Sequence, residues 1–575
     1  MRYLALACDY DGTLTSNNQP DPEAFGRLRQ VRASGRKVIL VTGRTLEQLN
    51  ESCQELDAFD SIVLENGAVL YDPNTGNSRL LCDPVPAGFV TRLKKRGVAH
   101  VGAGKAIVST WSPHESAVLG VIRKMGLDLQ LSFNRNAVLV LPPGVNKASG
   151  LQAALEGLGI SPHNVVGVGN GENDHIFLSY CKCSVAVANA VPLVKQDADW
   201  VLKRPESEGF CDLIDELVNN DLQKLRLEMH RDRLQIGSSE HGPVSIDAHN
   251  SRVLIAGPSR SGKSRLTCGR LERLGADRYQ YCVVDPEADF DGFPGAVTLG
   301  SNSHAPDVDH VVLALKNPDN RVTVNLVGLA FAERPAYFVR LLNAVQDLRL
   351  STGRPHWFVV EEAHHMLYPD WKHASQAMPR DFPGLLLVTV HPTELSTDVL
   401  KNIDTVIATG RDAHDVINDF TRAQKLKVPP IDRVDLDVDE VLLWLRSSPR
   451  QARKLRLLPT LHEHRRHVRK YAQGDVGYHR SFFFTGPDFR LNLQASNLRI
   501  FVRIADGVDD DTWLHHLHLG HYAKWFQEVI KDQELADLAE SLAHSDVSAA
   551  ESRNAINNFI HSRYTLPERP SLFGA

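Results

Sequence analysis

Two carboxylates stand two residues apart in Leu4-Ala-Leu-Ala-Cys-Asp9-Tyr10-Asp11-Gly12-Thr13-Leu14-Thr15, where an apolar run gives way to a glycine turn. That arrangement suits covalent phosphoryl chemistry: one carboxylate attacks phosphorus while its neighbour handles the leaving-group proton. Gly12 lets backbone amides come close to phosphate oxygens. A second set of residues suits a polyphosphate. Gly257-Pro258-Ser259-Arg260-Ser261-Gly262-Lys263-Ser264 follows an apolar run beginning at Arg252 and precedes a helical stretch, Arg265 to Leu274. In that setting the loop amides wrap a β-phosphate, Lys263 reaches the β- and γ-phosphates, and Ser264 ligates Mg2+. Farther on, Trp357-Phe-Val-Val-Glu361-Glu362 delivers two acids from another apolar run. Glu361 is placed for a magnesium-associated role and Glu362 to polarise attacking water.

The elements that must hold these groups alternate along the chain. Up to about residue 220, β-branched runs such as 37–42, 61–64 and 165–168 are separated by amphipathic stretches, the pattern of a parallel sheet covered by helices. The carboxyl edge of such a sheet is where ligand sites collect, and Asp9 falls at the end of its run. The charged stretch Asp221 to Arg233 reads as a connector. Apolar strands return at 252–257, 279–285, 356–362 and 384–390, and the character changes again beyond about Thr460. A chain of 575 residues exceeds one hydrophobic core, so a multidomain α/β protein is expected. With 42% hydrophobic residues and no apolar run approaching the roughly 20 residues of a membrane span, no membrane association and a cytoplasmic location are expected. The eight cysteines all lie at or before Cys282 and read as reduced, buried thiols, since Cys181 and Cys183 lack a second pair to complete a zinc site. A net charge of −6 argues against a uniformly basic nucleic-acid coat, and the basic run 462–470 reads as a solvated helix face.

The first set of motifs resembles the haloacid dehalogenase (HAD) superfamily, whose DxDGTLT motif is followed in order by counterparts of its others. These are Thr42 in Val38-Ile-Leu-Val-Thr42-Gly43-Arg44, Lys147 in Pro143-Gly144-Val145-Asn146-Lys147, and Gly169-Asn170-Gly171-Glu172-Asn173-Asp174. The resemblance implies Asp9 as nucleophile, Asp11 as general acid and base, Thr42 as a hydroxyl for phosphate oxygens and Lys147 as a cation for the transition-state charge. It also implies Mg2+ held by Asp9, Asp11, Asn170 and Asp174. Glu65-Asn66-Gly67-Ala68 and Val185 to Ala190 are similar to the branch that carries a cap between the second and third motifs. Residues 83–142 then form a small α/β cap, like those of phosphoglycolate and sucrose-phosphate phosphatases, and 1–82 with 143–220 form the core. Helices are expected at 86–96 and 113–125, and strands near 99–102, 106–111, 127–133 and 137–141. The family usually has Asp where this chain has Asn170. A neutral amide oxygen keeps a ligand but removes a unit of charge, so magnesium affinity should fall. A slow phosphatase, with Asp174 or Glu172 compensating, is expected; a phosphate-binding module without turnover is the alternative.

The second set resembles P-loop ATPases of the HerA and FtsK group over about residues 234–445, with His391 or Thr389 where a polar sensor usually stands and Glu361 where many relatives carry Asp. The resemblance implies ATP as cofactor, an ATPase domain over 234–459, a homo-oligomer with a hexamer as one ring size, and an arginine donated by a neighbouring subunit, with Arg411 the candidate. Nucleic acid stays open as a partner beside a small phosphate ester. The region 460–575 is read as a small, mostly helical accessory domain. Its His515, His518 and His521 lie on neighbouring helical positions and are weighed as metal ligands, with packing and surface roles preferred. Three functions follow: a HAD phosphatase coupled to a motor-like ATPase, a polynucleotide kinase-phosphatase-like end-healing enzyme, or a HAD-type phosphate sensor regulating an ATPase.

Overall fold

The computed structural model describes residues 1–564 apart from 18, 135, 227–232, 259–260, 302, 370–378, 380–381, 428–434, 438, 462–475, 477 and 531. The basic run 462–470 therefore lies outside the described residues. The first sheet has eight strands in the spatial order Trp200–Val201, Cys183–Ala186, Val165–Gly169, Ala5–Cys8, Lys37–Val41, Ser61–Leu64, Val69–Asp72 and Asn77–Leu80. Pairing is parallel as far as Ser61–Leu64 and antiparallel beyond it. Ala5–Cys8 is buried along its whole length because helices cover both faces, which is why its sequence is a continuous apolar run instead of an alternating one. Asp221 and Leu222, which read as the start of a connector, belong with this sheet. The Asp221 carboxylate accepts the Arg2 backbone N–H at 2.6 Å and the Arg36 guanidinium at 3.0 Å, and Leu222 is buried in the core.

Between Asn77–Leu80 and Lys147 lies a four-stranded antiparallel sheet in the order Gln130–Asn134, Ala137–Leu141, Val108–Trp111, Gly102–Ala103. Helices Ala87–Lys95 and Glu115–Met125 cover one face, where Val108 and Val140 pack against Phe89, Leu93 and Val118. From the other face Leu139 and Leu141 join the core of the first sheet. The two helices and the paired strands fall within a few residues of the positions expected from sequence; the strand expected near 99–102 is a two-residue segment at Gly102–Ala103.

A sheet of eleven strands follows, in the order Gly242–Asp247, Arg233–Ser239, Ser448–Leu457, Glu440–Leu445, Thr405–Thr409, Arg252–Ala256, Leu385–Thr389, Trp357–Val360, Tyr281–Asp285, Arg321–Asn325, Ala296–Leu299. The seven strands from Thr405–Thr409 onward are parallel, and the other four extend the sheet antiparallel. It meets the first sheet through the ends of two helices. At the C-terminal end of helix Lys147–Leu158 the Gly159 carbonyl accepts from Arg354 at 2.7 Å. Just beyond helix Lys263–Ala276, the Asp277 carbonyl accepts from His163 Nε2 at 2.8 Å, while the His163 ring stacks on Tyr279 with centroids 3.9 Å apart. Seven of the eight cysteines are buried, and Cys82 is partly so. Among the described residues no helix is long and apolar enough to cross a membrane.

The last unit pairs Phe482–Phe484 with Leu493–Ala495 and packs them on helices Leu498–Ala505, Asp510–His518, His521–Trp525, Gln533–Ala543 and Ala549–Tyr564. The imidazoles that meet here are His515, His516 and His521, not His518. The helix ends at His518 and Gly520, at φ +69°, turns the chain so that His521 comes back onto the preceding turn. His516 Nε2 accepts the Thr485 backbone N–H at 3.0 Å, which leaves the ring proton on Nδ1, 3.0 Å from His521 Nδ1. A metal at that nitrogen would have to displace the proton and create an imidazolate, so the cluster reads as a hydrogen-bonded packing element.

Candidate active site

The carboxyl edge of the first sheet gathers residues from four neighbouring strands. Asp9 follows Ala5–Cys8, and its backbone N–H bonds the Val168 carbonyl at 3.0 Å, which sets it beside the turn that begins at Asn170. Thr42 ends Lys37–Val41 on the other side and is buried, its hydroxyl accepting the Arg44 N–H at 3.2 Å. Lys147 opens helix Lys147–Leu158, whose N-terminus is capped by the Asn146 side chain. That start is pressed against the Glu65–Gly67 turn. Gly67 has φ +106°, and a Cβ there would lie 1.9 Å from the Asn146 carbonyl oxygen, so only glycine fits.

Lys147 is the centre of the charge arrangement. Its Nζ lies 2.6 Å from Asp9 Oδ1 and 2.6 Å from Asp174 Oδ1, with the lysine 1% exposed. Asp174 Oδ2 accepts the backbone N–H groups of Asn170 (2.8 Å) and Gly171 (2.7 Å), so both Asp174 oxygens are engaged by protein donors. Burial, then the Asp174 charge, push the Asp9 carboxyl up to about 7, with Lys147 pulling the other way. Burial also opposes the Lys147 charge, but the two carboxylates outweigh it and raise the ammonium. One ammonium between two buried carboxylates leaves the site short of positive charge, and a divalent cation fits that deficit. Asp9 and the Asn170 carboxamide, 4% exposed at the same edge, are the oxygens available to it.

Asp11 is half-exposed and held by a guanidinium. Arg44 Nε meets Oδ2 at 2.9 Å and Nη2 meets Oδ1 at 2.7 Å, a two-pronged ion pair with Arg44 lying over the Tyr10 ring. Arg44 sits inside the quoted Thr42 motif, yet sequence reasoning gave it no role; its place two residues after Thr42 was the available signal. Glu65 was missed in the same way. Its buried carboxylate accepts the backbone N–H groups of Lys105 (2.7 Å), Ala106 (2.8 Å) and Ile107 (3.2 Å), which ties the smaller sheet to the edge of the site.

On the larger sheet the loop after Arg252–Ala256 brings Gly257, Pro258, Ser261, Gly262, Lys263 and Ser264 together; Ser259 and Arg260 lie outside the described residues. Lys263 is buried, and Nζ donates to the carbonyls of Gly257 (2.9 Å) and Pro258 (3.0 Å), folded back into the loop. Burial lowers its pKa while Glu362 and Glu361 oppose. Glu361 follows Trp357–Val360 and is 3% exposed; Glu362 has left-handed backbone at φ +42°, with His364 Nδ1 3.5 Å from its Oε2. Thr389 ends the adjoining strand and meets His364 at 3.3 Å. Arg411 follows Gly410 at the same edge and is exposed.

Residues 6–93 and 127–214 match the haloacid dehalogenase-like hydrolase family, and the unmatched stretch between them lies in the smaller sheet and its helices. The phosphoglycolate phosphatase of Methanothermobacter thermautotrophicus is 30% identical over 215 residues, covering 36% of this chain and 96% of that protein. The phosphoglycolate phosphatase of Natronomonas pharaonis is 29% identical over 226 residues, covering 37% of this chain and 98% of that protein. A solved haloacid dehalogenase-like hydrolase from Bacteroides thetaiotaomicron aligns with 37% of this chain and 99% of its own at 19% identity and a TM-score of 0.33. Through this N-terminal part the chain belongs to the haloacid dehalogenase-like hydrolases.

Proposed function

We propose that the Asp9 site hydrolyses a phosphate monoester through an aspartyl-phosphate. The observation that carries this is the Asp9–Lys147–Asp174 cluster, with Nζ 2.6 Å from each carboxylate, at an edge shared with Thr42 and Asp11. Asp9 attacks phosphorus, while Lys147 and the Thr42 hydroxyl bond the phosphoryl oxygens. Asp11, once released by Arg44 and protonated from solvent, gives that proton to the leaving oxygen and later takes one from the water that opens the acyl phosphate. Mg2+, held by Asp9 and Asn170 with Asp11 and Asp174 close by, supplies charge neutralisation at the phosphoryl oxygens when bound. Phosphoglycolate, the ester in the names of the relatives, is the first substrate to assay. With Mg2+ present, the wild type should release phosphate and Asp9→Asn should not, and Asn170→Asp should raise magnesium affinity. Equal rates for wild type and Asp9→Asn across a broad ester panel would end the catalytic reading.

We also propose that residues 234–459 are a P-loop ATPase of the HerA and FtsK kind, beside a HAD core at 1–82 and 143–220, a cap at 83–142 and an accessory domain at 460–575. The adjacent acids Glu361 and Glu362, with Glu361 at the end of a strand one removed from that of the Lys263 loop, support hydrolysis over transfer to another substrate. ATP turnover lost in Lys263→Ala, and a mass that rises to a ring with ATP, are the expected results. A monomer under all conditions would sink the motor reading, and γ-phosphate transfer to a 5′-hydroxyl oligonucleotide would favour end healing. The Arg44–Asp11 ion pair favours a second reading, a phosphate sensor; ligand-dependent ATPase activity that survives Asp9→Asn would establish it.

A further inference from the structure

The smaller sheet spans the Asp9 site between two fixed points. At one end Glu65, beyond the strand Ser61–Leu64, binds the N–H groups of 105–107. At the other, Asn134 approaches the turn after Val165–Gly169 so closely that a Cβ on Gly171 would lie 3.1 Å from its Oδ1. The strands that end at Asp9 and Thr42 lie between those two strands in the first sheet, so the intervening part of the smaller sheet roofs the site. Register fixes which side chains face down. Leu139 packs into the core of the first sheet; Ser109 and Ser132 pair directly with it, and Trp111 and Asn134 share its face through Ala137. Trp111 is 53% exposed there, an indole left uncovered on an inward face, and the described residues of that face carry no charge.

Resting on the phosphatase reading, we infer that Trp111, Ser109, Ser132 and Asn134 form the leaving-group subsite and select an ester with a neutral, hydroxylated ring, a sugar phosphate, over one with a carboxylate. An indole covers the apolar C–H face of a sugar ring, and hydroxyl and amide groups exchange hydrogen bonds with ring hydroxyls. A carboxylate pressed against the same face would lose its water with no cation among the described residues of that face to replace it.

Calorimetry on the full chain carrying Asp9→Asn, which blocks turnover, tests this with Mg2+ and three probes: glucose 6-phosphate, phosphoglycolate and inorganic phosphate. Glucose 6-phosphate should bind about tenfold tighter than phosphoglycolate, Trp111→Ala should remove most of that margin, and Trp111→Phe should keep it, with inorganic phosphate unchanged throughout. Tighter phosphoglycolate, or equal losses for all probes in Trp111→Ala, overturns the inference. If inorganic phosphate itself fails to bind, the phosphate-site reading falls and this inference with it.

Discussion

Replacing Lys147 by methionine keeps its length and removes the one ammonium within 2.6 Å of both Asp9 and Asp174. All three groups are nearly inaccessible, at 1%, 5% and 0% exposure, so solvent cannot take over the role of the lysine. Breaking a buried pair in this way costs about 3–5 kcal/mol, because the charge left behind is uncompensated. The loss should fall on Asp9, since Asp174 keeps the N–H groups of Asn170 and Gly171. The sign with pH follows. The folded-state Asp9 value, about 7, lies above the ordinary carboxyl value of 3.8, so folding already takes up a proton between those limits. Below about pH 7 Asp9 is protonated in wild type and variant alike and the penalty shrinks; above it the variant must either bury the charge or hold the proton, and the penalty grows by up to about 1.4 kcal/mol per pH unit. Hydrogen exchange of the Ala5–Cys8 amides in the full chain isolates this sheet from the rest of the molecule. Exchange in Lys147→Met should accelerate at both pH values, and by up to about one and a half orders of magnitude more at pH 8.5 than at pH 6. Adding Asp9→Asn should recover most of the loss. A loss below about 1 kcal/mol, or one that is equal at both pH values, would refute the claim that Lys147 is the counter-ion of the two carboxylates.

Gly67→Ala should cost at least about 2 kcal/mol, since it combines a φ of +106° with a Cβ 1.9 Å from the Asn146 carbonyl oxygen, and should lower any phosphatase rate by shifting the start of the Lys147 helix; thermal unfolding and turnover read the two effects. Glu65→Ala leaves the N–H groups of Lys105, Ala106 and Ile107 without their acceptor, and exchange should speed up at these amides by roughly the equivalent of 2 kcal/mol while the Ala5–Cys8 amides stay protected. His516 is 3% exposed, and burial, then His521 and His515, lower its value from 6.5 to about 4. The unfolded chain then binds the extra proton between those values, so stability of the C-terminal unit should fall as pH drops from 7, by about 2 kcal/mol at pH 5, and His516→Gln should flatten this acid limb in urea titrations.

The core strands and the charge-bearing turns were readable because their chemistry is local: Asp9 and Asp11 flank a tight turn, and Lys147 follows the capping residue Asn146. What escaped depends on pairs distant in sequence. Arg44 reaches Asp11 across 33 residues and Glu65 reaches Ala106 across 41, distances over which spacing carries no signal. The histidines failed for a related reason. A helical wheel continued through His521 assumes unbroken helix, but Leu519 and Gly520 end it, and His516 replaces His518 in the cluster. Asp221, charged and beside a charged stretch, reads as linker until Arg2 and Arg36 are seen to claim it.

The junction of the two large sheets has a consequence for traffic between their sites. Helix Lys147–Leu158 begins at the Asp9 cluster and ends at the carbonyl that Arg354 holds; helix Lys263–Ala276 begins at the Gly257–Ser264 loop and ends beside the carbonyl that His163 holds. Each lysine therefore stands a helix length, about 18 Å and about 21 Å, behind the shared seam. A route through protein from the Asp9 cluster to the Gly257–Ser264 loop therefore runs down one helix, across the seam and up the other.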